Sequence, residues 1–157
     1  ASLANLDITA INTDIHFDNL FQLSGIDITS ETQQFAYGDM WNISAGQTLD
    51  ITFAWSVLQR PQQDYSLFLH ITQLDDHVPV AQADISLGAQ TYPSGAWRIG
   101  DTQYDNIQLT LPNDLPATQY DVWVGVYYYA DNTRLTPMIN GEAQADGRLL
   151  LGQLNLE

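Results

Sequence analysis

Cysteine is absent from the 157 residues, and so is lysine. Without cysteine there is no disulfide, no thiolate metal site and no thiol nucleophile. Basic residues are scarce. Arg60, Arg98, Arg134 and Arg148 are the whole set, against 19 acidic residues, for a formal net charge of −15. Phosphate neutralisation needs clustered Lys or Arg, so nucleic-acid partners are excluded. Adhesion to an anionic membrane surface is disfavoured for the same reason. No apolar run reaches the roughly 18 residues of a membrane-spanning helix. Residues 1–6 lack the charged and then apolar pattern of an export signal and are expected to be a linker remnant. Gly-rich phosphate loops and a Gly-x-Ser-x-Gly elbow are also missing, and His16, His70 and His77 are scattered. These absences favour a domain that is not itself an enzyme. The carboxylate count alone does not argue for glycoside hydrolysis, because some pair will lie close by chance.

What is present suits one well-buried globular domain: 45% hydrophobic and 11% aromatic residues. The acidic surface keeps such a domain soluble, with cation binding or a saline habitat as competing readings. Richness in Asn, Gln, Thr and Asp agrees with an exported setting.

Alternation of period two dominates the chain. In Thr48–Val57, the residues Leu49, Ile51, Phe53, Trp55 and Val57 share one face, and Asp50, Thr52, Ala54 and Ser56 share the other. Such a strand buries one side and wets the other, and Trp55 is expected in the core. Residues 65–74 repeat the pattern, with Tyr65, Leu67, Leu69 and Ile71 opposite Ser66, Phe68, His70 and Thr72. Further strands are predicted over 7–17, 20–28, 78–86, 104–111, 120–129 and 148–156. Turn residues separate them, among them Ala45-Gly46, Asp75-Asp76, Asp131-Asn132 and Asn140-Gly141. The predicted fold is therefore all-β: a two-sheet antiparallel sandwich of about eight or nine strands, in Ig-like or jelly-roll order. The longest connection, residues 87–103, is expected to cross between the sheets or to form a structured surface loop.

The order of several short motifs is familiar. They are Gly46-Gln47-Thr48-Leu49 leading to Trp55, Asp64-Tyr65-Ser66-Leu67-Phe68-Leu69-His70, and Val80-Ala81-Gln82-Ala83-Asp84. Tyr92-Pro93 and Trp97-Arg98-Ile99-Gly100-Asp101 follow, then Leu111-Pro112, Leu115-Pro116, Tyr120, Val124-Gly125-Val126-Tyr127 and Arg134-Leu135. From about residue 20 onward the chain resembles the extracytoplasmic β-sandwich domain at the C-terminus of some polytopic bacterial membrane proteins. Those proteins are similar to glycosyltransferases of the protein-mannosyltransferase type that use lipid-linked sugars, notably in filamentous green bacteria. Ala45-Gly46 and Ala117-Thr118 depart from the Pro-Gly pairs usual at those turns. The resemblance implies an accessory domain at the cell surface or in the periplasm, tethered to its parent transmembrane region and facing a glycan or lipid-linked sugar. It supplies no catalytic or ligand residues. Two alternatives remain: a carbohydrate-binding module of a secreted protein, and a purely structural or adhesion domain.

Two kinds of site are worth testing. Calcium prefers several loop carboxylates and carbonyls, and Asp75 and Asp76, beside His77 on a hairpin tip, are the candidate ligands; the competing reading is a plain turn. Asp101 and Asp105 flank a strand start. Sugar binding needs an exposed aromatic face for the C–H side of the ring and polar neighbours for its hydroxyls. Trp41, Tyr92, Trp97 and the Tyr127-Tyr128-Tyr129 run supply rings, although Tyr128 must point away from Tyr127 and Tyr129. Trp97 has a competing role as a plug over the sandwich edge. His70 is expected to hydrogen-bond Asp84 on a neighbouring strand, and Arg134 to pin the region of Tyr127 or Asp131. The candidate ligand-binding residues are thus Tyr92, Trp97, Tyr127, His70, Asp84 and Arg134.

Overall fold

The alternation over Thr48–Val57 builds the centre of the molecule: Leu49, Ile51, Phe53, Trp55 and Val57 are all buried. Period-two placement puts all five on one side of a pleated strand, and only a facing sheet can cover them. A computed structural model describes residues 8–88 and 92–157 of this sandwich; the linker expected over 1–6 lies outside the described residues.

One sheet has eight strands: β1 (Thr9–Ala10), β2 (Ile15–Phe17), β3 (Phe21–Ser30), β4 (Gln33–Phe35), β6 (Thr48–Val57), β9 (Thr102–Thr110), β12 (Pro137–Ile139) and β13 (Glu142–Ala143). Its order is β13-β12-β2-β3-β6-β9, with β1 and β4 also paired to β3. The second sheet has six strands: β5 (Met40–Ile43), β7 (Tyr65–Gln73), β8 (Pro79–Ser86), β10 (Gln119–Tyr128), β11 (Thr133–Arg134) and β14 (Leu149–Leu156). Its order is β5-β14-β10-β7-β8, with β11 paired to β10. Among the described residues every pairing is antiparallel except that of β5 with β14, which is parallel. The fold is the predicted sandwich with one mixed sheet.

The long predicted strands are observed with ends shifted by no more than two residues, apart from 7–17, which divides into β1 and β2. The strand count is higher than predicted because β4, β5, β11, β12 and β13 are two to four residues long. Alternation cannot register over such lengths. The connection 87–103 does cross between sheets, since β8 and β9 lie in different ones.

Aromatic packing fills the core, within the first sheet and across to the second. Trp55 stacks on Phe53 at 5.5 Å between ring centroids and meets Phe17 edge-on at 5.7 Å. Phe21 meets Tyr65 of the other sheet edge-on at 5.8 Å. Such pairs contribute about 0.5–1.5 kcal/mol beyond the area they bury.

The outer side of β7 is covered as well. Ser66, Phe68 and Thr72, expected on a wet face, are buried. After β10 the chain returns over this face: Arg134 lies on Phe68, the carbonyl of Gly147 abuts Gly125, and Arg148 lies on Trp123. This partial third layer creates the concavity described next.

Candidate functional site

The site begins with a glycine. Gly125 of β10 and Asp84 of β8 are both register partners of Phe68 on β7, so the three form one row across the sheet. A Cβ on Gly125 would collide with the Phe68 ring. The missing side chain lets the ring lie down over β10, where it is 2% exposed and forms the floor of the concavity. In the next row Tyr127 is opposite Ser66. From there its hydroxyl reaches diagonally over β7 and donates to Asp84 Oδ2 at 2.6 Å.

The remaining walls come from β7 and the β10–β11 hairpin. Alternation puts His70 on the same side as Phe68, with ring centroids 4.3 Å apart. Asn132 takes a left-handed conformation (φ 61°) in the tight turn, which asparagine tolerates better than most residues. The turn brings Arg134 back beside its register partner Tyr127. The Arg134 guanidinium stands 4.4 Å from the Phe68 ring centroid, and its Nη1 donates to the Asp146 carbonyl at 2.9 Å. Phe68, His70, Asp84, Tyr127, Asn132 and Arg134 enclose a pocket of about 220 Å³.

Electrostatics fixes the protonation of its members. The Tyr127 hydroxyl is pushed up to about 12, first by burial and then by the carboxylate of Asp84, so it remains a donor. Burial lowers the pKa of His70, and the Arg134 charge lowers it further while Asp84 acts the other way. His70 is therefore a neutral imidazole near pH 7, able to donate from one nitrogen and accept at the other.

Four of the six sequence candidates meet in this pocket: His70, Asp84, Tyr127 and Arg134. The bond expected between His70 and Asp84 is not observed. The partner of His70 on β8 is Gln82, while Asp84 is joined to Tyr127. Arg134 does accompany Tyr127, but it is anchored on a backbone carbonyl and an aromatic face rather than on Asp131. Sequence reasoning missed Phe68, which shares a face with His70 by simple alternation, and Asn132, which it read only as part of the Asp131-Asn132 turn.

The other rings go elsewhere. Trp97 is fully buried, meets Phe21 edge-on at 5.3 Å and donates its indole N–H to the Tyr92 carbonyl. It is a plug beneath the crossover and has no face for a ligand. Tyr92 is 40% exposed, but its hydroxyl is fixed between Asp101 Oδ2 and Gln103 Nε2, away from the pocket. Trp41 is fully buried beside Phe35. Tyr128 points to the opposite side from Tyr127, against Tyr65, and Tyr129 is 77% exposed beyond the end of β10.

Asp75 and Asp76 serve the β7–β8 turn. Asp75 sits at φ 58°, with its N–H bonded to the buried carboxylate of Asp121. Asp76 Oδ1 accepts from the backbone of His77 and Val78, and its carbonyl accepts from Arg148. Among the described residues no three carboxylate or imidazole side chains converge as a metal site.

A larger groove of about 830 Å³ runs along β1, β4 and β5, lined by Ile11, Phe35, Tyr37 and Met40 among others. It contains none of the six ligand-binding candidates. The smaller pocket is the better candidate because aromatic, cationic, anionic and amide groups converge there.

No family model matches the chain, and no curated protein matches it. The resemblance to domains of mannosyltransferase-type proteins thus gains no support from family models. Among solved structures, the crystal structure of the C-terminal domain of Wzt is similar, with a TM-score of 0.54 at 14% sequence identity. The match covers 100% of this chain and 89% of that one. It shows a shared β-sandwich fold over the whole length of the chain.

Proposed function

We propose that this is a non-catalytic glycan-binding accessory domain, and that the pocket on the outer face of the β10-β7-β8 sheet is its binding site. One observation carries the reading. Tyr127 supplies aromatic surface above a floor formed by the buried Phe68 ring, beside hydrogen-bonding groups from His70, Asp84, Asn132 and Arg134 in a single concavity. A sugar presents the complementary surface, an apolar C–H face ringed by hydroxyls. The pocket volume of about 220 Å³ is below the roughly 300–1,000 Å³ of sites for drug-sized ligands, which suits one sugar residue at a time.

Binding without catalysis fits the same geometry. Glycoside hydrolysis commonly uses two opposed carboxylates, and among the described residues Asp84 is the only carboxylate lining the pocket. Tyr127 holds its proton too firmly to act as a base near pH 7. The fold shared with a domain at the C-terminus of another protein supports an accessory role. The extracytoplasmic, membrane-tethered setting beside a glycosyltransferase-like parent rests on the sequence resemblance; protease access to the domain on intact cells tests it.

The binding claim is tested by screening the purified domain against a broad glycan array. At least one glycan is expected to bind, and Tyr127→Ala is expected to abolish that binding. Failure to bind any glycan would remove the proposal.

A further inference from the structure

Positive charge is scarce in this protein, and two of the four arginines lie on the one face that carries the pocket. They are held differently. Arg148 is buried, stacked 3.6 Å above Trp123, and bonded to the carbonyl of Asp76. It braces the hairpin tip. Arg134 is exposed; one of its N–H groups is bonded to the Asp146 carbonyl, and the nearby Asp146 carboxylate feels its charge without forming an ion pair with it. Although the chain carries 19 acidic residues, no described carboxylate lies within 4.0 Å of the Arg134 guanidinium. Asp84, the acid of the pocket, is joined to the Tyr127 hydroxyl instead. A guanidinium has five donors in a planar fork that fits carboxylate and phosphate oxygens.

We propose that the pocket selects a sugar residue bearing an anionic substituent, a carboxylate or a phosphate, with the anion received by the Arg134 fork. This rests on the glycan-binding reading above and adds the class of sugar. The sugar ring would lie against Tyr127, and its hydroxyls would meet His70, Asp84 and Asn132. The flat side of the guanidinium rests on Phe68, so the fork is oriented before the ligand arrives, and little side-chain entropy remains to be lost on binding.

The net charge of −15 limits the kind of glycan. A polyanionic chain lying across the domain would be repelled along its length. A single acidic residue seated on Arg134 feels the local fork, whereas the distant acids are screened beyond a Debye length of about 8 Å at physiological salt. The preferred ligand is therefore one acidic unit, at a chain end or a branch, on an otherwise neutral glycan.

The test is titration calorimetry, in physiological salt, with three oligosaccharides that share a neutral stem. One ends in a neutral hexose, one in the corresponding uronate and one in the hexose 6-phosphate. The wild type is expected to bind at least one acidic form roughly tenfold more tightly than the neutral one, as a charge-assisted bidentate contact would give. Arg134→Gln should bring the ratio close to one, and Arg134→Lys should give an intermediate ratio, with folding of both checked by near-UV circular dichroism. The uronate and phosphate arms distinguish the two anions. Equal or tighter binding of the neutral form, or a preference that survives Arg134→Gln, overturns the anionic inference and leaves the glycan-binding proposal standing. If the stem series and the glycan array are both unbound, the glycan-binding proposal falls, and the anionic inference falls with it.

Discussion

Tyr127 on β10 and Asp84 on β8 are separated by a whole strand, yet the tyrosine hydroxyl reaches over β7 to donate to the aspartate at 2.6 Å. The bond closes one side of the pocket and fixes the ring against Phe68, 6.2 Å away between centroids. Tyr127→Phe keeps the ring and frees it. Because the bond is partly exposed, the stability loss should be near the lower end of the roughly 0.5–1.5 kcal/mol typical of one hydrogen bond. Glycan affinity should fall more, roughly tenfold, because the ring and the carboxylate lose their common orientation. Urea denaturation and calorimetry on the same variant separate the two effects.

Gly125→Ala is the sharper perturbation. The added methyl must displace the Phe68 ring, because the Gly147 carbonyl, 2.7 Å from the new Cβ, closes the other direction. Overpacking of this kind costs about 1–3 kcal/mol, and the displaced ring would rise into the pocket. The expected result is a β-rich circular dichroism spectrum with glycan binding lost. Retained binding would mean that Phe68 is not the floor of the site.

These two residues also show what was legible beforehand. Gly125 and Tyr127 fall on one face of β10 by alternation, as do Phe68 and His70 on β7, so each half of the site could be read from its own strand. Their meeting could not, because β10 and β7 are far apart in sequence and their pairing is a non-local choice. The covering of Phe68 and Thr72 was equally hidden. It depends on Arg134 of the two-residue β11 and on Gly147 and Arg148 just ahead of β14, segments too short to leave a periodic signal. Long strands such as β6 were legible residue by residue, since five consecutive inward positions leave no other register.

Trp97 should act on stability and not on recognition. Its indole is wholly enclosed, with Phe21 edge-on and its N–H bonded to the Tyr92 carbonyl. Trp97→Ala should cost about 3–5 kcal/mol, the usual range for a large aromatic deleted from a core. Chemical denaturation measures the loss. Glycan binding by the folded fraction is expected to persist, because the pocket lies on the outer face of the other sheet.

Asp105 makes stability depend on pH. Its carboxyl is fully buried; Oδ1 accepts from the Gly88 N–H at 2.9 Å, and Oδ2 has no partner among the described residues. Burial raises its pKa from 3.8 to about 7, only partly opposed by the Gly88 bond. Between those values the native state holds a proton that the unfolded chain has released. The associated stability is complete below pH 3.8 and is lost as pH rises through about 7. The effect is on the order of a few kcal/mol at most. His70, with its lowered pKa, acts the opposite way: the stability it favours is present above the usual histidine pKa and is lost as pH falls. The comparison must therefore be between variants. Asp105→Asn, melted alongside the wild type from pH 4 to pH 8, should gain relative stability as pH rises. A constant difference across that range would show that Asp105 does not titrate there.

The central claim is that glycan binds in the pocket between β7, β8 and the β10–β11 hairpin. It is tested most directly by two-dimensional NMR of the isotope-labelled domain, titrated with the best glycan from the array. The largest shifts are predicted at Phe68, His70, Asp84, Tyr127, Asn132 and Arg134. Shifts concentrated instead along the groove at Phe35, Tyr37 and Met40, with these six residues unmoved, would contradict the account.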